Sequence, residues 1–421
     1  MIVYNYQKQH VNHFNQGTLN MKKHMTIMAL LLVVFALPLL EAEEPLKKAS
    51  PKFRKITLAT KYYTEGSCVG DFNRDGILDF AAGPFWFEGG DFTRKHEIFP
   101  EIEYDPEQYT DNFITFAEDL NGDGWDDIFV CPFPGAHSYW FENPKTGNGH
   151  WTKHLALPEL GNESPLWGDV RSDGHNGPIF NTNGRLGFGT YRVTENQVDW
   201  TFHPVSNEDE FYQRFTHGLG FGDINGDGRN DLVEARGWWE QPKDTEEIPW
   251  KFHPFQFGAG PAQMLVYDID GDGLNDVIAA WDCHNYGLLW YKQIRDDTGN
   301  ITWQQNEILP VHPNKESDAL RISQLHTLTA ADFNGDGLMD FVTGKRFWAH
   351  GPKGDEEPDA PAVLYWFELE RDGQGHARFI PHIIDDDSGA GTQLTVADLN
   401  GDNVPDIIAA NKKGIFLFLS E

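Results

Sequence analysis

The stretch DINGDGRNDLV, Asp223 to Val233, decides the reading of this chain. Close copies begin at Asp71 (DFNRDGILDFA), Asp119 (DLNGDGWDDIF), Asp268 (DIDGDGLNDVI), Asp332 (DFNGDGLMDFV) and Asp398 (DLNGDNVPDII). Counting Asp223 as position 1, oxygen-bearing side chains fall at positions 1, 3, 5 and 9. Position 7 can offer its backbone carbonyl, and Gly228 at position 6 permits the sharp turn. This is the first three-quarters of a calcium loop of the EF-hand kind. An all-oxygen ring on a flexible loop suits Ca²⁺ better than Mg²⁺ or a transition metal.

The flanks are not those of an EF-hand. Position 12, where an EF-hand has Glu, holds Ala82, Val130, Glu234, Ala279, Thr343 and Ala409, so only one copy complies. Short apolar runs of β type follow position 9 and end in Gly, Pro or a polar residue. The loop therefore joins two strands. Asn-Gly and Asp-Gly also favour plain hairpin turns. Six recurrences of a full ligand set favour metal binding over a turn alone.

Of 421 residues, 14% are aromatic, and 42 Gly with 24 Pro suit a turn-rich β protein. The net charge of −32 argues against nucleic acid or an anionic membrane as partner. Much of that charge is concentrated in the six loops, where carboxylates would repel one another without a cation. Three cysteines, Cys68, Cys131 and Cys283, are too few for a disulfide framework and are expected to be reduced and buried. Residues 21–42 have a basic start, an apolar core and a small residue, Ala42, near the end, the shape of a secretory signal peptide. Residues 1–20 then read as a polar extension outside the fold and 43–52 as a linker. The expected product is secreted or periplasmic, free of the membrane after cleavage, and monomeric.

The repeated loop with its flanking strands resembles the FG-GAP or VCBS repeats of integrin α-chains and secreted bacterial proteins. The resemblance covers roughly residues 50–421 and implies a β-propeller. It also implies about six structural Ca²⁺ sites. Their ligands would be Asp71, Asn73, Asp75 and Asp79; Asp119, Asn121, Asp123 and Asp127; and Asp223, Asn225, Asp227 and Asp231. The later copies supply Asp268, Asp270, Asp272 and Asp276; Asp332, Asn334, Asp336 and Asp340; and Asp398, Asn400, Asp402 and Asp406.

Two further strand patterns fix the blade count. Seven outer segments resemble WTKHLAL (151–157), and six aromatic ones resemble WFEN (140–143). Seven outer strands call for a seventh loop, found at WGDVRSDGHNG, where Asp169 and Asp173 survive but Arg171 and Gly177 replace ligands. It is expected to keep the turn and lose the metal. Loop starts at 71, 119, 169, 223, 268, 332 and 398 leave room for four short strands each. The expected fold is all-β, a seven-bladed propeller over 53–421. Residues 53–58 precede the first loop and are expected to pair with the last blade, closing the ring.

If each loop joins the innermost strand of a blade to the second, basic and aromatic residues gather on the opposite rim. Among them are His217, His284, His326, His350, Lys345, Arg346, Trp238 and Trp281. Lys345 and Arg346 could bind carboxylate or phosphate. The four histidines could hold a second, catalytic metal or move protons. The two tryptophans offer faces for sugar rings. No Gly-x-Ser-x-Gly, His-Glu-x-x-His or phosphate-binding glycine loop occurs. Two readings remain: a propeller that binds or processes carbohydrate on this rim, as a lyase or dehydratase if catalytic, or an adhesion module for another extracellular ligand.

Overall fold

The computed structural model describes residues 50–146, 149–194 and 197–421; the expected signal peptide and the extension before it lie outside them. Among the described residues, 28 strands form seven four-stranded antiparallel sheets, with no helix. Strands are lettered A to D from the inside out. Blade 2 is typical: Ile114–Glu118, Asp127–Cys131, Tyr139–Glu142 and Thr152–Leu155. Blade 7 takes Leu394–Ala397, Asp406–Asn411 and Gly414–Ser420 from the C-terminal end. Its D strand is Phe53–Ala59, paired from Phe53 with Ser420 to Ala59 with Ile415. The A strand of blade 1, Cys68–Gly70, touches the A strands of blades 2 and 7.

The blades cohere through a repeated side-chain pair that explains the aromatic and outer-strand motifs. A C-strand tryptophan stacks flat on a D-strand histidine directly across from it. The pairs are Trp86–His96, Trp140–His154, Trp238–His253 and Trp366–His382, with centroids 4.0–4.5 Å apart. Each histidine also bonds the glutamate two residues after its tryptophan: Glu88, Glu142, Glu240 and Glu368, at 2.8–2.9 Å. Such stacked pairs contribute roughly 0.5–1.5 kcal/mol beyond area burial. Blade 3 keeps the stack as Phe188–His203 and replaces the glutamate with Thr190.

The loops are bound into the blades by their ninth residue. Asp79, Asp127, Asp231, Asp276, Asp340 and Asp406 are fully buried. One carboxylate oxygen accepts the N–H of position 2: Phe72, Leu120, Ile224, Ile269, Phe333 or Leu399. The other accepts an N–H at or just past the C strand: Gly89, Asn143, Gln241, Gln293, Leu369 or Ser420. Bonds between blades run along the same rim. Asn143, Gln241 and Gln293 donate to the position-2 carbonyls of the preceding blades, Phe72, Val170 and Ile224.

The degenerate loop of blade 3 keeps the turn: Asp169 accepts the N–H groups of Asp173 and Gly174. Arg171 turns away to pair with Glu246 at 2.7 Å. A Cβ at Gly177 would lie 2.1 Å from the Gly189 carbonyl, so no aspartate fits there without moving a strand.

Burial raises Asp79, Asp231, Asp276 and Asp340 to about 7 and Asp127 to about 8. In the absence of cations, the folded chain then holds protons that the unfolded chain has already lost. Stability must fall as pH rises from about 4, the unfolded carboxylate range, through 8. Melts in chelator should give a lower Tm at pH 8 than at pH 5, and the reverse order would refute this account.

Candidate functional site

The rim opposite the loops is built from the segments before the A strands and the connections between B and C strands. His217 precedes the A strand of blade 4 (Gly220–Gly222), and His326 precedes that of blade 6 (Thr329–Ala331). Cys283 and His284 lie in the B–C connection of blade 5, between Asp276–Ala280 and Leu288–Arg295. His350 and Asp355 lie in that of blade 6, between Asp340–Gly344 and Leu364–Arg371.

These groups converge. One ligating atom each from His217, Cys283, His284 and His326 lie within 4.8 Å of one another, as do those of His284, His350 and Asp355. Ring centroids are 4.9 Å apart for His217–His284, 5.0 Å for His284–His326 and 4.5 Å for His284–His350. Nδ1 of His326 lies 3.2 Å from the Gln324 carbonyl, a bond that places the proton on Nδ1. Its buried Nε2 has no partner, whereas Nε2 of His217 faces Glu163 and Nδ1 of His284 faces Asp355, each at 3.4 Å. Asp355 holds Nδ1 of His350 at 2.8 Å. Solvent reaches the cluster from the exposed His350 side.

Charge here is strongly organised. Burial by itself would lower His217, but Cys283 and Glu163 hold it well above its usual value. Burial likewise works against His284, which Asp355 and Cys283 raise to about 9. Burial would raise the Cys283 thiol, yet His217 and His284 keep it below its ordinary range. His326 goes the other way, pushed well down by burial and by Arg346.

Lys345 and Arg346 correct the expectation of an anion-binding pair. Both are 1% exposed and both are committed within the chain. Lys345 Nζ donates to Ser323 Oγ at 2.8 Å and to the Glu357 carbonyl at 2.7 Å, holding down the long connection of blade 6. Burial lowers it to about 8. Arg346 makes a two-pronged pair with Glu65, at 2.6 and 3.2 Å, and reaches Glu163 at 3.4 Å. Its guanidinium lies 5.1 Å from the centre of the Phe113 ring. The anion that buried Arg346 demands is supplied by the protein itself, while Lys345 is met by two neutral oxygens.

Cys283, Asp355, Glu65 and Glu163 were missed from sequence. A signal for the last two was present. His217 and His326 sit six residues before position 1 of their loops, and the same offset in blades 1 and 3 gives Glu65 and Glu163. Trp238 also departs from expectation: it is a core residue under His253 and presents no face to a ligand. The aromatic surface lies elsewhere on the rim. Tyr109 stacks on Phe133 at 4.8 Å, Phe133 meets Phe215 at 5.4 Å, and Phe347 stacks on Trp348 at 4.7 Å. These five are partly or well exposed. Lys412 links the two groups, its ammonium 4.7 Å from the Tyr109 ring and bonded to the Trp348 carbonyl.

Residues 119–176 and 268–343 match the model of the FG-GAP-like repeat, and both stretches lie on the seven-bladed propeller. No curated protein matches it. Similar solved structures include the rhamnogalacturonan lyase YesW, with 14% identity over 89% of this chain and 74% of its own, at a TM-score of 0.44. The BBS1N chain solved with ARL6DN has 11% identity over 89% of this chain and 97% of its own, at 0.48. The V. cholerae biofilm matrix protein Bap1 has 11% identity over 88% and 90%, at 0.40.

Removing Arg346 leaves the buried Glu65 carboxylate without its cation, a change that costs about 3–5 kcal/mol in comparable buried pairs. Arg346→Ala should therefore lower stability by that order in urea unfolding. A loss under 1 kcal/mol would show that the pair does not hold the mouth together.

Proposed function

We propose that the chain is an exported propeller, stiffened by calcium at its acidic loops, that binds carbohydrate at the aromatic rim on the opposite face. The calcium part rests on the donor sets. Position-1 carboxylates already wind each loop by accepting the N–H groups of later residues, as Asp223 does from Asp227 and Gly228. Asp268, Asp270 and Asp272 bring one oxygen each within 4.8 Å of one another. Basic side chains are drawn to three loops: Lys145 to Asp123, Arg229 to Asp227, and Lys292 to Asp270 and Asp272. All-oxygen rings with this much charge fit a hard divalent cation, and calcium would neutralise them.

The carbohydrate part is carried by one observation. Tyr109, Phe133, Phe215, Phe347 and Trp348 stay partly exposed around a mouth whose centre is polar and charged. Sugar rings present apolar C–H faces bordered by hydroxyls, and flat aromatics beside fixed polar groups suit them. Arg214, lying over the Phe133 and Phe215 rings at 5.1 and 4.5 Å, would meet the carboxylate of a uronate. With Lys345 and Arg346 committed internally, the group placed to move a proton on a docked sugar is His350, oriented by Asp355. A lyase or dehydratase reaction would have to begin there.

Tryptophan fluorescence during titration with neutral and uronate-containing oligosaccharides tests the rim. Phe215→Ala and Trp348→Ala should each weaken binding about tenfold, roughly what one aromatic contact supplies, with little change in Tm. Wild-type affinity in both variants would overturn the assignment. Calcium added to chelator-treated protein should raise Tm, and more at pH 8 than at pH 5; no rise would remove calcium from the picture.

A further inference from the structure

We infer that His217, Cys283, His284 and His326 form a binding site for one zinc-class metal ion, separate from the calcium loops, that ties three successive blades together across the channel mouth. His217 comes from the start of blade 4, Cys283 and His284 from blade 5, and His326 from the start of blade 6. One donor atom from each lies within 4.8 Å of the others.

Three features mark this as a metal set and not a packed polar cluster. The first is an orphaned nitrogen. Nε2 of His326 is buried with no hydrogen-bond partner, while Nε2 of His217 and Nδ1 of His284 each face a carboxylate at 3.4 Å. A buried lone pair left unsatisfied is costly unless something else takes it up. The second is the orientation of His326. Its Nδ1 faces the Gln324 carbonyl, which leaves Nε2 as a lone-pair donor, the arrangement found behind metal-bound histidines. The third is the outer carboxylates. Glu163 lies 3.4 Å from Nε2 of His217, and Asp355 lies 3.4 Å from Nδ1 of His284, which leaves Nδ1 of His217 and Nε2 of His284 to face the metal.

Imidazole and thiolate donors select zinc over calcium by softness, so opposite ends of the molecule would take different metals. Zinc bonds are about 2.0–2.1 Å to nitrogen and about 2.3 Å to sulfur. A tetrahedral set on those bonds spans roughly 3.4–3.8 Å between donors, so the four atoms need draw in by about 1 Å. With four protein donors the site is closed, and its role is to hold blades 4, 5 and 6 in register. It stands whether or not a sugar docks on the rim.

Co²⁺ is the probe. The full chain, stripped of metal and returned to excess Ca²⁺ to fill the loops, is titrated with Co²⁺. One equivalent should bind with a strong near-ultraviolet thiolate-to-cobalt band, and Zn²⁺ should displace it. The band should vanish in Cys283→Ser. No band in the wild type, or an unchanged band in Cys283→Ser, would overturn the site. His326→Gln keeps the thiol and guards against a misfolded serine variant. It should bind Co²⁺ at least tenfold more weakly, and unchanged affinity would likewise overturn the proposal.

Discussion

A buried carboxylate that accepts two backbone N–H groups recurs in six of the seven blades, and the rest of the molecule depends on it. The ninth residue of each acidic loop closes the start of its own loop and also binds the chain where the C strand ends. Turn and sheet thus become one unit. Burying a carboxylate is costly, and the paired N–H groups recover only part of that cost, which is why burial still raises these residues. A cation bound a few ångströms away would supply the remainder. The loops therefore do two jobs at once. Their shape is set by hydrogen bonds, and their charge calls for the proposed calcium.

At the other end of the A strands the same repeat is used differently. The residue six before each loop precedes the A strand of its blade, and its identity varies: Glu65, Phe113, Glu163, His217, Ala262, His326 and Thr392. Arg346 from blade 6 contacts three of them, Glu65, Phe113 and Glu163. The histidines from blades 4 and 6 meet Cys283 and His284 of blade 5. One structural position, repeated around a ring, has thus become an ion-pair centre on one side and an imidazole–thiol cluster on the other. Short regular blades make this cheap to vary, because each blade delivers its side chain to the same place.

Much of the architecture was legible because its signals are local. Ligand spacing, the Gly228 turn and the apolar run after position 9 are all read within a dozen residues. The Trp–His pairs were half legible: both motifs were visible, but their stacking needs the register that sets Trp238 opposite His253. That register also turned Trp238 from a candidate sugar platform into core. The histidines were legible as a set on one rim. Cys283 was read only as a buried thiol, because a lone cysteine carries no sign of which neighbours face it.

The sequence by itself determined the number of blades, the position of the acidic loops and the rim on which the chemistry gathers. Periodicity and local turn geometry depend on residues close in the chain. Only the tertiary structure decided that Lys345 and Arg346 are spent on Ser323, Glu357, Glu65 and Glu163, and that three histidines and a cysteine share one centre. Arg346 and Glu65 are 281 residues apart, and a charge's role at that separation is set by which partner the closed ring brings to it.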